Sequence, residues 1–334
     1  MKRALGPALK TLALRIPAVL AIPALAIPAF LFADTMRAAD APVVVTSIKP
    51  IHSLVSAIMQ GVGEPELIVD GAASPHTYNM KPSNARALQE AKVVFWVGPG
   101  LEAFLQKPLE ALGADASVVE LDNAPGLVKL AFREGGAFEP HDDGDASEAH
   151  DHAEADHDHE HGTFDTHLWL DPMNAKAMAA MITTTLVAAD PANALTYQGN
   201  AKALDDKLDA LDKEIAATVA PVKDKPFVVF HDAYQYFEHR YGIRVAGSIT
   251  VSPETIPGAE RVSQIHRKVG DLGATCVFAE PQFEPRLIDV VIEGTRAKSG
   301  VLDPEAATLK AGPDLYFTLM RGIADSMKAC LSSA

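Results

Sequence analysis

Cysteine is scarce in this chain of 334 residues, which contains only Cys276 and Cys330. Two thiols cannot supply a four-thiolate zinc site or the dense disulfide framework of a small secreted domain. The two cysteines do not form a C-x-x-C pair, so we expect a structural role for them rather than a catalytic one. The chain also lacks an H-E-x-x-H cluster, which argues against a zinc protease.

Basic residues are few relative to acidic ones. The chain has 29 Lys and Arg against 44 Asp and Glu, for a formal net charge of -15. Because binding to a nucleic-acid backbone requires a basic face, we expect no nucleic-acid partner. The composition, 48% hydrophobic and 22% charged, is that of a folded globular protein, and the length is sufficient for two ordinary domains.

The first 40 residues differ in composition from the rest. Four basic residues precede an uncharged run over residues 16–33, and small residues follow around 38–41. This order predicts that residues 1–39 form a secretory signal peptide, although no clear cleavage point is marked. A retained membrane anchor is the alternative, but Pro17, Pro23 and Pro28 would each break a helical hydrogen bond in the run. No later segment is apolar enough to cross a bilayer.

Export changes what is expected of the two cysteines. An oxidising compartment, an even number and the placement of both in one half of the chain favour a Cys276–Cys330 disulfide over two buried thiols. Closing a loop of that length would stabilise the fold by roughly 4 kcal/mol in the chain-entropy model.

Short β-rich runs alternate with helical patterns in both halves of the chain, which predicts an α/β fold with mainly parallel sheets. The predicted strands cover 43–47, 66–69, 92–97, 117–121, 227–230, 244–250, 275–279 and 300–302. The predicted helices lie near 50–60, 83–91, 100–112, 233–240, 258–270, 283–297 and 313–330. We therefore predict an N-terminal lobe over 40–172, linking helices over 173–220 and a C-terminal lobe over 221–334.

A long helix is predicted between the two halves, over about 191–219. Asp190 and Pro191 are typical of a helix start, and apolar residues recur every three or four positions from Leu204 to Val219. At 1.5 Å per residue this helix would be roughly 43 Å long, enough to contact both lobes as a rigid spine. A coiled-coil homodimer is the weaker alternative because barely two heptads are present, so we expect a monomer.

One segment combines acidic residues with histidine. Residues 139–161 contain ten Asp and Glu, six His and neither Lys nor Arg. With almost no large apolar side chain to offset its ordering entropy, the segment is predicted to be a disordered loop over 139–163. Such tracts commonly bind metal, and we expect weak, exchangeable binding here; a solvated acidic loop is the alternative. Its histidines are His141, His150, His152, His157, His159 and His161.

Three histidines outside that segment lie at predicted strand or loop edges, where α/β proteins bind ligands. His76 follows the strand 66–69, His167 begins a short extended piece, and His231 ends the strand that starts at Phe227. Each alone is more typical of a structural histidine, but together in an exported chain they predict a metal site. Three neutral imidazoles favour Zn(II) over Mn(II). Because they must be unprotonated, affinity should fall below a pH of roughly 6.5.

The other ionisable candidates divide into two groups. His52, His239 and His266 fall on predicted helices and are expected to be structural. Glu280 and Asp303 each follow a predicted strand of the second half. Either carboxylate could supply a fourth metal ligand or orient a liganding imidazole, and for Asp303 a helix cap is the alternative.

Several longer motifs follow one another along the chain. They are Ser47-Ile-Lys-Pro-Ile51, Gly71-Ala-Ala-Ser-Pro-His76, Lys81-Pro-Ser83, Ala91-Lys-Val-Val-Phe-Trp-Val-Gly98, His167-Leu-Trp-Leu-Asp-Pro172, Phe230-His-Asp-Ala-Tyr234 and Ala274-Thr-Cys-Val-Phe-Ala-Glu-Pro-Gln-Phe283. In these motifs and their order the chain resembles the periplasmic zinc-binding proteins of bacterial ABC uptake systems, the ZnuA type of the cluster A-I solute-binding proteins. The resemblance covers about residues 44–331.

The resemblance implies two α/β lobes joined by a long rigid helix, with one zinc site between them. By motif, the three liganding histidines are His76, His167 and His231, and the cysteine pair matches the family's. Asp303 matches an acidic ligand of manganese-binding relatives. One departure is Pro75, since some members have a glutamate there that is proposed as a fourth zinc contact. A water molecule, Glu280 or Asp303 would then complete the site.

The implied function is capture of Zn(II) in the periplasm and delivery to a membrane permease driven by a cytoplasmic ATPase, without catalysis. A manganese or iron carrier of the same family is the first alternative. An exported zinc hydrolase is the second, and it would need a general base beside the metal, for which Glu280 is the candidate.

Overall fold

The computed structural model describes residues 41–133, 164–250, 257–273, 275–283 and 286–333. The predicted signal peptide and the acidic, His-rich segment lie outside these residues. Eight strands are described: β1 Val44–Thr46, β2 Glu66–Leu67, β3 Val93–Trp96, β4 Ser117–Glu120, β5 Phe227–His231, β6 Val245–Thr250, β7 Cys276–Ala279 and β8 Lys298–Val301. Nine α-helices are described: α1 Lys49–Ile58, α2 Pro82–Glu90, α3 Ala103–Leu112, α4 Pro172–Ala189, α5 Ala194–Val219, α6 Gln235–Tyr241, α7 Ala259–Leu272, α8 Arg286–Ile292 and α9 Leu315–Ser333.

The strands form two four-stranded sheets, one in each half of the chain, with the orders β2-β1-β3-β4 and β6-β5-β7-β8. Every strand pair within them is parallel. The central strands β3 and β5 are buried along their whole length, because helices cover both faces of a parallel sheet and leave no face for solvent. The predicted α/β fold with two parallel sheets is therefore confirmed.

The long helix α5 links the two halves. It has 26 residues and is about 39 Å long at 1.5 Å per residue. One side of α5 is buried, including Leu204, Leu208 and Ile215. The helix packs against α4, against α1 of the first half and against α9 of the second. A hydrophobic core that includes residues of all these helices therefore joins the two lobes.

Several predicted elements differ from the structure in their bounds or type, and three of these differences have a local cause. The long helix begins at Ala194 because Pro191–Asn193 form a 3-10 turn instead of its first turn. The piece that follows His167 is not extended; Leu168–Leu170 form a 3-10 turn in which all three side chains are buried. The helix predicted over 283–297 ends at Ile292, shortly before Gly294, whose φ of +69° is incompatible with a continuing helix.

The predicted disulfide is present. Cys276 at the start of β7 is bonded to Cys330 in α9, with 6.2 Å between the two Cα atoms. The disulfide closes a sequence separation of 54 residues and ties the C-terminal helix to its sheet. None of the helices in the described part of the chain has the length and hydropathy needed to cross a membrane.

Candidate metal centre

Three histidines from distant parts of the sequence meet in the structure. One nitrogen of each of His76, His167 and His231 lies within 4.8 Å of the other two. Nε2 of His167 is 3.3 Å from Nε2 of His76 and 3.3 Å from Nε2 of His231. Two nitrogens bound to one zinc ion at about 2.0–2.1 Å, at the tetrahedral angle, are about 3.3 Å apart. The spacing therefore fits a single Zn(II) ion.

Each imidazole is positioned by a different local structure. His231 is the last residue of β5, so it emerges at the carboxyl end of a buried parallel strand. His167 immediately precedes the 3-10 turn Leu168–Leu170. His76 lies in another 3-10 turn, Pro75–Thr77, whose preceding residue Ser74 accepts the His76 backbone N–H at 3.3 Å. His231 and His167 are 1% and 5% exposed, whereas His76 is half-buried.

Two buried carboxylates hold the rings in one orientation. Nδ1 of His231 lies 2.8 and 2.7 Å from the two carboxylate oxygens of Glu280. Nδ1 of His167 lies 2.8 Å from Oδ1 of Asp165. A carboxylate can only accept a hydrogen bond, so each Nδ1 carries the proton and each Nε2 presents its lone pair to the centre. This is the tautomer that a metal ion requires.

The environment of His231 also changes its acidity. Complete burial disfavours the imidazolium and by itself would lower the pKa of His231. The carboxylate of Glu280, with smaller contributions from two nearby aspartates, outweighs burial and raises the pKa above its ordinary value of 6.5. Protons therefore compete with a metal ion for this nitrogen at a higher pH than the sequence alone suggests.

The two predicted carboxylates occupy different positions. Glu280 is 3% exposed and both of its oxygens contact Nδ1 of His231, on the ring edge that faces away from the centre. Asp303 accepts hydrogen bonds from Nε2 of Gln282 at 3.0 Å and from the backbone N–H of Glu305 at 3.2 Å. In the described residues, the group able to hold a metal comprises the three histidines without either carboxylate.

The remaining histidines lie elsewhere. His52 in α1 is buried and contacts the backbone oxygen of Pro65 at 3.0 Å, and His266 in α7 contacts that of Val291 at 3.0 Å. His239 is exposed in α6. None of the three belongs to the metal-capable group. The six histidines of residues 139–161 lie outside the described residues.

Three residues of interest in the folded structure are absent from the sequence-based prediction of the site. Asp165 precedes His167 by two positions, a local D-x-H spacing that could have indicated the pair. Glu305 is buried, and its pKa is raised well above the ordinary value, first by burial and then by Glu280 and Asp303. Lys49 lies in a recognised motif but contacts residues some 260 positions away, a proximity that no local pattern reveals.

Comparison with known proteins agrees with this geometry. The family model described as "Zinc-uptake complex component A periplasmic" matches residues 44–330. The chain is 59% identical over 317 residues to the high-affinity zinc uptake system protein ZnuA of Brucella suis, covering 90% of this chain and 95% of the relative. It is 37% identical over 311 residues to the protein of that name from Yersinia pestis, covering 91% and 95%.

A solved structure shares the architecture. A crystal structure of ZnuA aligns with 87% of this chain and 99% of its own, with a TM-score of 0.71 and 25% sequence identity. With a family model that spans both lobes and relatives that match over nearly their whole length, the chain belongs to the ZnuA family of periplasmic zinc-uptake proteins.

Proposed function

We propose that this protein binds Zn(II) in the periplasm through Nε2 of His76, His167 and His231 and delivers it to the membrane permease of an ABC transporter, which a cytoplasmic ATPase drives. The observation that carries the proposal is the convergence of three Nε2 atoms at the spacing of a zinc site. A protein described as component A of a zinc-uptake complex implies membrane partners in general. That these partners are an ABC permease and its ATPase is part of the proposal.

A water molecule is the proposed fourth ligand. Glu280 is engaged on the outer edge of His231 and Asp303 is held by Gln282 and by the backbone of Glu305. The same contacts argue against a hydrolase, because a general base would have to face the metal-bound water rather than the far nitrogen of a ligand. Family members bind solutes and are not enzymes.

The proposal extends to segments beyond the described residues. Residues 1–39 would direct export as a signal peptide, and the histidines of 139–163 would form an auxiliary, low-affinity zinc surface. We propose the same division of the chain as before: an N-terminal lobe over 40–172, linking helices over 173–220 and a C-terminal lobe over 221–334. We also propose that the protein is a monomer.

Competitive metal titration of the purified mature protein tests the function. We expect one site that binds Zn(II) at sub-micromolar concentration and retains it against an excess of Mn(II), because three imidazole nitrogens favour the softer ion. A variant lacking residues 139–161 serves as control and should keep this one tight site. Preference for Mn(II) in the full protein would contradict the assignment of zinc.

The pH dependence of zinc binding should follow the acidity of His231. Zinc requires an unprotonated Nε2 on each histidine, so protonation of His231 by itself lowers the affinity about tenfold for each pH unit below its pKa. Since the pKa of His231 is raised above 6.5, we expect the decline to begin above that pH. Apparent zinc affinity measured by chelator competition between pH 5 and 8 checks this expectation.

The matched variant for this experiment is Glu280→Gln, which keeps the shape of the side chain but removes its charge. Glutamine does not stabilise an imidazolium, so the midpoint should move to lower pH. Loss of an outer carboxylate partner should also weaken zinc binding by about 10- to 100-fold at pH 8. An unchanged midpoint would show that Glu280 does not control the acidity of the ligand.

A further inference from the structure

A buried lysine outside the group of three histidines makes an unusual set of contacts. Lys49, the first residue of α1, is 4% exposed. Its Nζ donates hydrogen bonds to three backbone oxygens, those of Ala306, Ala307 and Leu309, at 3.0, 2.9 and 3.0 Å. An ammonium group has three protons, so all of them are used. Burying a charge is costly unless it is fully hydrogen-bonded, and here the bonds all go to one loop.

The loop held by Lys49 comprises residues 302–309, which follow β8, and we call it the hub loop. It contains Ala306, which has a φ of +60° and is buried. A non-glycine residue in the left-handed region is strained and persists only where its surroundings hold it in place. Of the non-glycine residues that the structure describes, Ala306 is the one with positive φ. Ala306 is also the first of the three residues whose backbone oxygens accept hydrogen bonds from Lys49.

The hub loop reaches the segment that carries His76. Glu305 is buried, and the hydroxyl of Ser74 is close enough to favour its ionised form. Ser74 in turn accepts the backbone N–H of His76 at 3.3 Å. The position of the His76 turn therefore depends on where the loop places Glu305.

The hub loop also reaches the segment that carries His167. The backbone oxygen of Pro304 accepts the indole N–H of Trp169 at 2.8 Å. The rings of Trp169 and His167 are in contact, with centroids 5.3 Å apart. The hydrogen bond thus joins the hub loop to the turn immediately beyond the ligand.

A third set of contacts leads to His231 through Glu280. The backbone N–H of Leu302 donates to the oxygen of Ala279 at 2.9 Å, next to Glu280. Gln282, two positions beyond Glu280, donates through Nε2 to Asp303 at 3.0 Å. The hub loop therefore contacts all three segments on which the ligand geometry depends, and Lys49 holds the loop from the opposite lobe.

We propose that Lys49 is a positioning residue for zinc: by fixing the hub loop, it keeps the segments of His76, His167 and Glu280 in the arrangement that binds the metal. The inference rests on the proposed zinc function, since it concerns the affinity of that site. Lys49 does not touch the metal; it acts through residues 302–309. Removing its three hydrogen bonds should let the ligand-bearing segments move relative to one another, although no ligand is itself replaced.

The first test is Lys49→Met, which keeps an unbranched side chain of similar length and removes the donors. We expect zinc affinity, measured by chelator competition, to fall about tenfold, in the range seen when outer partners of metal ligands are removed. Dissociation of zinc into excess chelator, followed by stopped flow, should accelerate by a similar factor.

The second test is Trp169→Phe, which preserves an aromatic ring beside His167 and removes the N–H that bonds to Pro304. It should also accelerate zinc dissociation, and it tests whether the hub loop positions the ligands even if Lys49→Met does not fold. In the double variant the two effects should be less than additive, because both act by releasing the same loop.

The matched control is Val269→Ala. Val269 is fully buried in the last turn of α7, shortly before the amino end of β7, whereas Glu280 lies beyond its carboxyl end. This variant should lower the melting temperature and leave zinc dissociation unchanged. The positioning role is overturned if folded Lys49→Met and Trp169→Phe release zinc at the wild-type rate. If the wild-type protein itself lacks tight zinc binding, the proposed function fails instead.

Discussion

Replacing His76 with alanine should weaken zinc binding by about a hundredfold. Binding of Zn(II) to four-ligand protein sites is worth roughly 10–16 kcal/mol, or about 3 kcal/mol for each ligand, and that is about two decades in affinity. His76 is the least buried of the three histidines, so its removal should disturb folding least. Chelator competition at pH 8 measures the change.

The control for this prediction is His239→Ala. His239 is an exposed imidazole in α6, outside the metal-capable group. Its removal should leave both affinity and stoichiometry unchanged. If the His76 and His239 variants bound zinc equally tightly, the three-histidine site would be wrong and the metal would have to bind elsewhere in the chain.

Removing the disulfide should produce the largest loss of stability without a loss of zinc binding. For a loop that spans 54 residues, the chain-entropy model assigns about 4 kcal/mol to the constraint on the unfolded chain. In a protein of this size that corresponds to a decrease in melting temperature of about 6–7 °C. The double variant Cys276→Ala with Cys330→Ala, compared with the wild type by calorimetry, measures it.

Zinc affinity should survive this change because of where the bond lies. Cys276 is at the amino end of β7 and Glu280 follows its carboxyl end, about 13 Å away at 3.3 Å per residue. Reducing the wild-type protein with a phosphine should reproduce the decrease in melting temperature and serves as the control. A double variant as stable as the wild type would mean that the disulfide constrains little of the unfolded chain.

Local sequence patterns were sufficient for most of the architecture. The alternation of β-rich and helical runs predicts the order of the strands and helices, because hydrophobic periodicity and propensity act over a few residues. The departures are also local in origin. Pro191–Asn193 form a separate turn before α5, and the buried triplet Leu168–Leu170 shows neither helical nor strand periodicity.

The position of a histidine at the end of a strand could be read from the sequence and pointed to the site. Which of its two ring nitrogens carries the proton could not be read from the sequence. His231 could be selected because it ends a parallel strand, and such ends converge at one edge of a sheet. Which of its nitrogens faces the other two histidines depends on Glu280, 49 positions away. The sequence did not decide whether Asp303 is a metal ligand, a group that orients a ligand or a helix cap. Its position depends on contacts with Gln282 and Glu305 that form only in the folded loop.

The sequence by itself thus determined the kind of molecule: two α/β units, a long connecting helix, one cysteine pair and imidazole donors suited to zinc. Those features follow from residue type and short-range spacing, which the chain carries before it folds. Tertiary structure alone decided which nitrogen of His167 and of His231 faces the centre, which carboxylates orient those two rings, and that Lys49 bonds to the loop that follows β8. Hydrogen bonds between residues far apart in sequence form only when packing brings their atoms within about 3 Å.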